Sequence, residues 1–156
     1  MRTFTDANGH TWSIVITVET IRRVRQLASV DLMQVVGGKL LEQIAADPVL
    51  LVDVLAAVCK PQMEVRSTTA ADFGSAMCGD AIDQAAQALL QGVADFFPSP
   101  TRVLLQQLID ASWAQQAKSQ EIASAAISRV IEQMQVPVSG ASSQSQPQSQ
   151  DAIPTR

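Results

Sequence analysis

"DPVLLVDVLAAVCK" (residues 47–60) is the stretch that decides the fold class of this chain. Asp47 offers a carboxylate to cap a helix, and Pro48 fills the first turn, where its missing N–H costs nothing. Leu50, Leu51, Val54, Leu55, Val58 and Cys59 then recur at helical spacing, with alanines at 56 and 57. Lys60 followed by Pro61 predicts the stop. A stripe this wide needs cover on most sides, so the helix belongs in the middle of the fold.

Composition supports a helical architecture around it. The 156 residues are about one domain's worth, with 47% apolar, 17% charged and 4% aromatic residues and no tyrosine. Such a core has to be built from Leu, Ile, Val and Ala, a mixture that leans helical. The formal net charge of −4 argues against nucleic acid or anionic lipid as the main partner. The start, "MRTFTDANGH", has no apolar run of the kind a signal peptide carries, and the longest apolar stretch is too short to span a bilayer. Cys59 and Cys78 are expected to be reduced and packed as small hydrophobes, and the expected compartment is the cytoplasm.

Upstream, residues 2–17 read as a β-hairpin. In "TWSIVITV" (11–18), Trp12, Ile14, Ile16 and Val18 alternate with Thr11, Ser13, Val15 and Thr17, and "DANG" (6–9) supplies the turn. A two-residue turn would set Phe4 against Ser13. A three-residue turn with a glycine bulge pairs Phe4 with Trp12 and gathers the large apolar side chains on one face, so the second register is preferred. An isolated hairpin is marginal in water, so that face must lie on helices or on another subunit. "VETIRRVRQLAS" (18–29) follows as a helix capped by Thr17, with Ile21, Val24, Leu27 and Ala28 inward. Arg22, Arg23 and Arg25 are read as a solvated face pairing with nearby acids. Gly37-Gly38 joins two short helical pieces within residues 29–47, and has neither the length nor the ending of a phosphate-binding loop.

Downstream, "TTAADFGSAMCGDAID" (68–83) holds a DFG tripeptide, a cysteine and several acids. A DFG aspartate matters in kinases beside a Gly-rich loop, a strand lysine and a catalytic loop, none of which this chain carries. Thr69 and Asp72 instead spell a capping box, Phe73 a core anchor, Gly79 a stop and Asp80 a cap for the next helix. In that helix Ile82, Ala85, Ala86, Leu89, Leu90, Val93, Phe96 and Phe97 keep helical spacing up to Pro98. A further helix starts in "PSPTRVLLQQLIDASW" (98–113), with Ser99 as cap. Its inward side is read as Val103, Leu104, Leu108 and Ala111, with Leu105 and Ile109 as additional candidates.

From Ala114 the chain turns polar, then shows a second apolar patch: Ala123, Ile127, Val130, Ile131 and Met134. That patch is either the inner face of a last helix folded back on the domain, or the outer face of a helix that docks on a partner. The Ser/Gln/Pro-rich end, 136–156, is expected to be disordered. The expected organisation is a hairpin (1–17) packed on a small helical bundle (18–113), an extended C-terminal helix (114–135) and the tail (136–156), a mainly α fold.

Chemistry is sparse. His10, the single histidine, sits beside the hairpin turn, and no nucleophile–base pair, metal-ligand spacing or dinucleotide fingerprint emerges. No catalytic residue, metal or cofactor is expected. Element order carries one resemblance: the hairpin "FTDANGHTWSIVITV", the immediate helix "ETIRRVRQL", "DPVLLVDVLAAVCKPQ", and the capped "TTAADFGSAMCGDAIDQAAQALLQGVADFF". This order, over roughly residues 2–112, resembles the tail assembly chaperones of long-tailed bacteriophages, which pair a short β element with a small helical domain. The "SQSQPQSQ" tail has no counterpart in that pattern. The resemblance implies a non-catalytic protein that binds unassembled tail tube or tape-measure subunits and leaves before the tail is complete. Such chaperones often have a longer form made by ribosomal frameshifting. The expected client contacts are the hairpin edge around Thr5, Thr11 and Trp12, and the Ile127, Val130 and Met134 patch. The competing reading is a permanent structural or adaptor protein, for instance a scaffold-like homo-oligomer in which the last helix forms the seam.

Overall fold

The computed structural model describes residues 1–135; the Ser/Gln-rich segment 136–156 lies outside the described residues. The fold is mainly α, with an N-terminal hairpin followed by helices and a long C-terminal helix. Strands β1 (Arg2–Thr5) and β2 (Thr11–Ile14) pair antiparallel, with Phe4 opposite Trp12. The turn is the three-residue one: Asp6 N–H donates to His10 O at 2.9 Å, Gly9 N–H donates to Asp6 O at 3.0 Å, and Gly9 takes φ +84°. A side chain at Gly9 would be forced into the left-handed region that glycine adopts freely. β2 is shorter than the alternation predicts. It ends at Ile14, and Val18 is an exposed first residue of the next helix, because Thr17 caps there through its hydroxyl.

Helix α1 (Val18–Leu27) buries Thr20, Ile21 and Val24, while Leu27 is exposed. Ile21 and Val24 face inward as the spacing predicts, with Ala28 packed against the core; the difference is at Leu27, while the Thr20 hydroxyl turns inward and donates to Val15 O at 3.0 Å. A 3-10 segment (Leu32–Gly37) and α2 (Lys39–Ala46) meet at Gly38, where φ is +77°. The double glycine forms the joint that the sequence predicts.

Helix α3 (Pro48–Val65) is capped by the Asp47 carboxylate, which accepts from Val49 and Leu50 N–H, and it buries Leu51, Val54, Leu55, Val58 and Cys59. It does not stop at Pro61, which lies inside it. Proline there deprives the Ala57 carbonyl of its helical partner. The turn beyond is held from outside: Met63 enters the core, and Gln62 and Arg66 both bond to β2.

Helix α4 (Ala70–Ser75) opens with the Thr69–Asp72 capping box, both halves formed, and sets Phe73 edge-on to Trp12 with ring centroids 5.0 Å apart. Helix α5 (Asp80–Phe96) has Gly79, not Asp80, at its cap position, with no side-chain cap bond. Its inner face is small: Ala81, Ala85, Ala88 and Gly92 are buried and let the hairpin approach closely. A Cβ on Gly92 would stand 2.7 Å from Ile14 Cγ2.

Helix α6 (Ser99–Met134) begins on the Pro98 carbonyl. It enters the core through Leu105 and Ile109, with Trp113 packed beside them, and leaves Val103, Leu104 and Leu108 exposed. The inward face is therefore opposite to the preferred sequence reading. Apolar residues ring this turn of helix, so periodicity alone cannot choose between two sides one of which has no cover. The chain divides into two units, Met1–Gln116 and a second beginning at Ala117. The buried core belongs to the first, and every residue from 117 to 135 is exposed.

Candidate functional site

The hairpin is organised around one acid. Asp6 is buried, and its carboxylate accepts from Trp12 Nε1 at 2.8 Å, Asn8 N–H at 2.9 Å and His10 N–H at 2.9 Å. Burial works to raise its pKa, but the three donors together outweigh that and hold it below the usual carboxylate range. His10 Nδ1 lies 3.4 Å from the same carboxylate. This arrangement fixes the turn and the Trp12 ring. With Trp12 only 1% exposed, it is a core residue and not an accessible contact. The expectation that it touches a client is overturned by its indole N–H, which finds its partner inside the protein.

Thr5 and Thr11 are exposed, with their hydroxyls 3.4 Å apart. The backbone edge beside Thr11 is occupied. In an antiparallel pair, bonded positions recur at every second residue. The Asp6–His10 bond therefore places Phe4–Trp12 and Arg2–Ile14 among the bonded pairs and turns the peptide groups of Thr11 and Ser13 outward. Arg66 Nη2 donates to Thr11 O at 2.9 Å, and its guanidinium carbon lies 4.9 Å from the Trp12 ring centroid. The Gln62 amide donates to Ser13 O at 2.7 Å and accepts from Ser13 N–H at 3.0 Å. Neither Gln62 nor Arg66 stood out in the sequence. They follow a proline that reads as a helix stop, and only the continued helix brings them to the strand.

The second candidate surface lies on α6. Ile127, Val130, Ile131 and Met134 are between 50 and 81% exposed, and Ile122, which the sequence reading did not single out, is exposed with them. Lys118, Glu121, Arg129 and Glu132 are the charged residues of this segment, and at helical spacing they fall on the side away from Ile127 and Met134. The segment is an amphipathic helix whose apolar row is left exposed among the described residues.

Other groups are engaged structurally. Arg22 pairs with Glu19 at 3.3 Å and Arg25 with Asp31 at 2.9 Å, which removes two of the three arginines from a free basic patch. The Arg25 guanidinium, with the Met33 N–H behind it, holds the Asp31 carboxyl below its ordinary range. Arg2 does the same for Asp95 across a 2.8 Å contact that ties β1 to α5. Burial pushes the Cys59 thiol up to about 12, which makes it inert, whereas Cys78 is exposed.

Shallow grooves border the first unit among the described residues. One, of about 160 Å³, is lined by Arg2, Ile14, Gly92 and Asp95 among others. Another, of about 280 Å³, is lined by Val49, Val52, Asp53, Gly74, Met77 and Ile82 with Pro48. Neither lining contains His10 or a cysteine, and each holds a single carboxylate. Among the described residues no cluster of His, Cys, Asp and Glu is placed to hold a metal ion, and no helix is long and apolar enough to cross a membrane. Comparison with protein families, characterised proteins and solved structures finds no match to this chain.

Proposed function

We propose that this chain is a non-catalytic assembly chaperone, of the kind that serves the tails of long-tailed bacteriophages in the host cytoplasm. The observation that carries the reading is the exposed apolar row Ile127, Val130, Ile131 and Met134 on the C-terminal part of α6, opposite its charged residues. A row of this kind meets a groove or a second helix through anchors at helical spacing. A tail tube or tape-measure subunit that has not yet assembled exposes apolar surface of its own, and covering it until its proper neighbour arrives needs no cofactor. The small helical core with its hairpin then serves as the folded body that keeps the chaperone in solution. The resemblance in element order over roughly residues 2–112 supports the same reading.

The test is a tagged pull-down during expression in the native host, together with an assay of finished particles for this chain. Tail subunits are expected among the captured proteins, the chain itself is expected to be missing from particles, and replacing Ile127, Val130, Ile131 and Met134 by Gln is expected to abolish capture. Stoichiometric presence of the chain in particles would overturn the chaperone and make it a permanent structural component. Undiminished capture by the substituted chain would remove the row from the interface.

A further inference from the structure

The groove of about 280 Å³ lies where α3, α4 and the first turn of α5 meet. Val49, Val52 and Asp53 reach it from α3, Gly74 from α4, Met77 from the link beyond, and Ile82 from α5. Met77 is buried, Val52, Gly74 and Ile82 are half-buried, and Val49 and Asp53 are exposed, so the lining grades from an apolar floor to an open rim. Pockets for small molecules commonly run to about 300–1,000 Å³ and enclose most of their ligand. This one has room for a side chain or two presented by a polypeptide.

The groove depends on a glycine that the fold does not require. Glycine inside a helix is disfavoured against alanine, and a close neighbour or a left-handed backbone usually explains it. Neither applies at Gly74. Its backbone is not left-handed, and a Cβ there would meet nothing nearer than Val52 Cγ1 at 3.9 Å. What the missing side chain leaves is the open groove that Gly74 lines.

Charge around the groove has one sign. Residues 40–59 carry Glu42, Asp47 and Asp53, residues 67–101 carry Asp72, Asp80, Asp83 and Asp95, and neither run contains Lys or Arg. Asp47 and Asp72 are engaged in caps and Asp95 pairs with Arg2. Asp53 on the lining, with Asp80 and Asp83 in the turn that carries Ile82, are exposed and without a partner among the described residues. The N-terminus of α5 offsets about half a charge, less than the two carboxylates beside it. Lys60, the next base along α3, stands two turns beyond Asp53, about 10 Å up the axis.

We propose that this groove is a second docking site, independent of the α6 row, for a partner segment that presents an apolar side chain next to lysine or arginine. The probe is a labelled amphipathic peptide of leucine and lysine, with a leucine and glutamate peptide of the same pattern as its control. Fluorescence anisotropy is expected to show binding of the lysine peptide only, with amide shifts gathered at Val49, Val52, Gly74 and Ile82. Gly74→Leu plugs the groove and Asp53→Lys reverses the charge of its lining. Each is expected to weaken binding about tenfold or more. Should Gly74→Leu lose its cooperative melt, Val49→Gln at the exposed rim tests the same apolar contact. The chain with Ile127, Val130, Ile131 and Met134 replaced by Gln is expected to bind the peptide as wild type does, whatever becomes of its client capture. No binding at about 1 mM peptide would overturn the proposal. So would equal affinity for the two peptides, undiminished binding by Asp53→Lys, or loss of binding in the α6 variant.

Discussion

At the scale of single residues, the decisive group is Asp6, a buried carboxylate that satisfies three donors at once. Replacing it with Asn puts an amide N–H₂ where a donor already points, and is expected to cost about 1–3 kcal/mol in urea titration at pH 7. The pH dependence has a definite sign. Because the folded pKa lies below the ordinary value, Asp6 contributes stability that is fully present above the unfolded pKa, about 3.9. That contribution is lost as pH falls from there through the lower folded value. Stability of the wild type is therefore expected to drop more steeply than that of Asp6→Asn as pH is lowered through this window. A parallel decline of the two would show that the carboxylate is not the group being titrated. The cysteines separate just as sharply. Cys59 is fully buried with its thiol pushed up to about 12, and Cys78 is exposed. A thiol reagent at neutral pH is expected to modify Cys78 alone in the native protein and Cys59 only after denaturation. The role of Asp6 was only half legible: the turn at 6–9 could be read from Asp, Asn and Gly, but the indole that completes the carboxylate's set is fixed by the strand register.

At the scale of elements, the helices read well where a cap and a one-sided stripe agree. Asp47-Pro48 and Thr69–Asp72 did so, and both starts form as the side chains predict. The ends read less well, because what sustains a helix past a proline is tertiary. The two bonds of Gln62 and the burial of Met63 hold α3 together beyond Pro61, and neither has a local signature. Close packing of α5 on the hairpin was likewise invisible until Gly92 and Ile14 were brought together. Two glycines in helices therefore respond in opposite ways to alanine. At Gly74 the nearest atom to a new Cβ is Val52 Cγ1 at 3.9 Å, an ordinary contact. Gly74→Ala is expected to stabilise by up to about 1 kcal/mol through helix propensity. At Gly92 the new Cβ stands 2.7 Å from Ile14 Cγ2, on a buried β-branched side chain with little freedom to turn. Overpacking of about 1–3 kcal/mol outweighs the propensity gain there. Thermal melts of the two variants should move in opposite directions, and a rise for both would mean that the hairpin yields to α5 at little cost.

At the scale of the whole molecule, α6 carries two apolar rows with unlike duties, and periodicity could not tell them apart. Leu105 and Ile109 are almost fully buried and belong to the core of the first unit, while Ile127, Val130, Ile131 and Met134 are exposed. Both rows have helical spacing and similar residue types, so a sequence shows only that each wants cover, not which one the chain itself provides. Substitution separates them. Leu105→Ala leaves a cavity among packed neighbours and is expected to cost about 2–5 kcal/mol. Replacing Ile127, Val130, Ile131 and Met134 together by Gln removes apolar surface that is already in water, and puts strong helix formers in its place. The unfolding free energy is then expected to stay within about 0.5 kcal/mol of wild type for each site changed. Binding of an apolar dye by the folded chain should fall in the second variant. If the quadruple variant instead unfolds as readily as Leu105→Ala, the row is covered within the folded protein and a client-docking role for it fails. If it melts like wild type while losing dye binding, then this apolar surface is carried at no benefit to the fold, and what it gains must come from a partner.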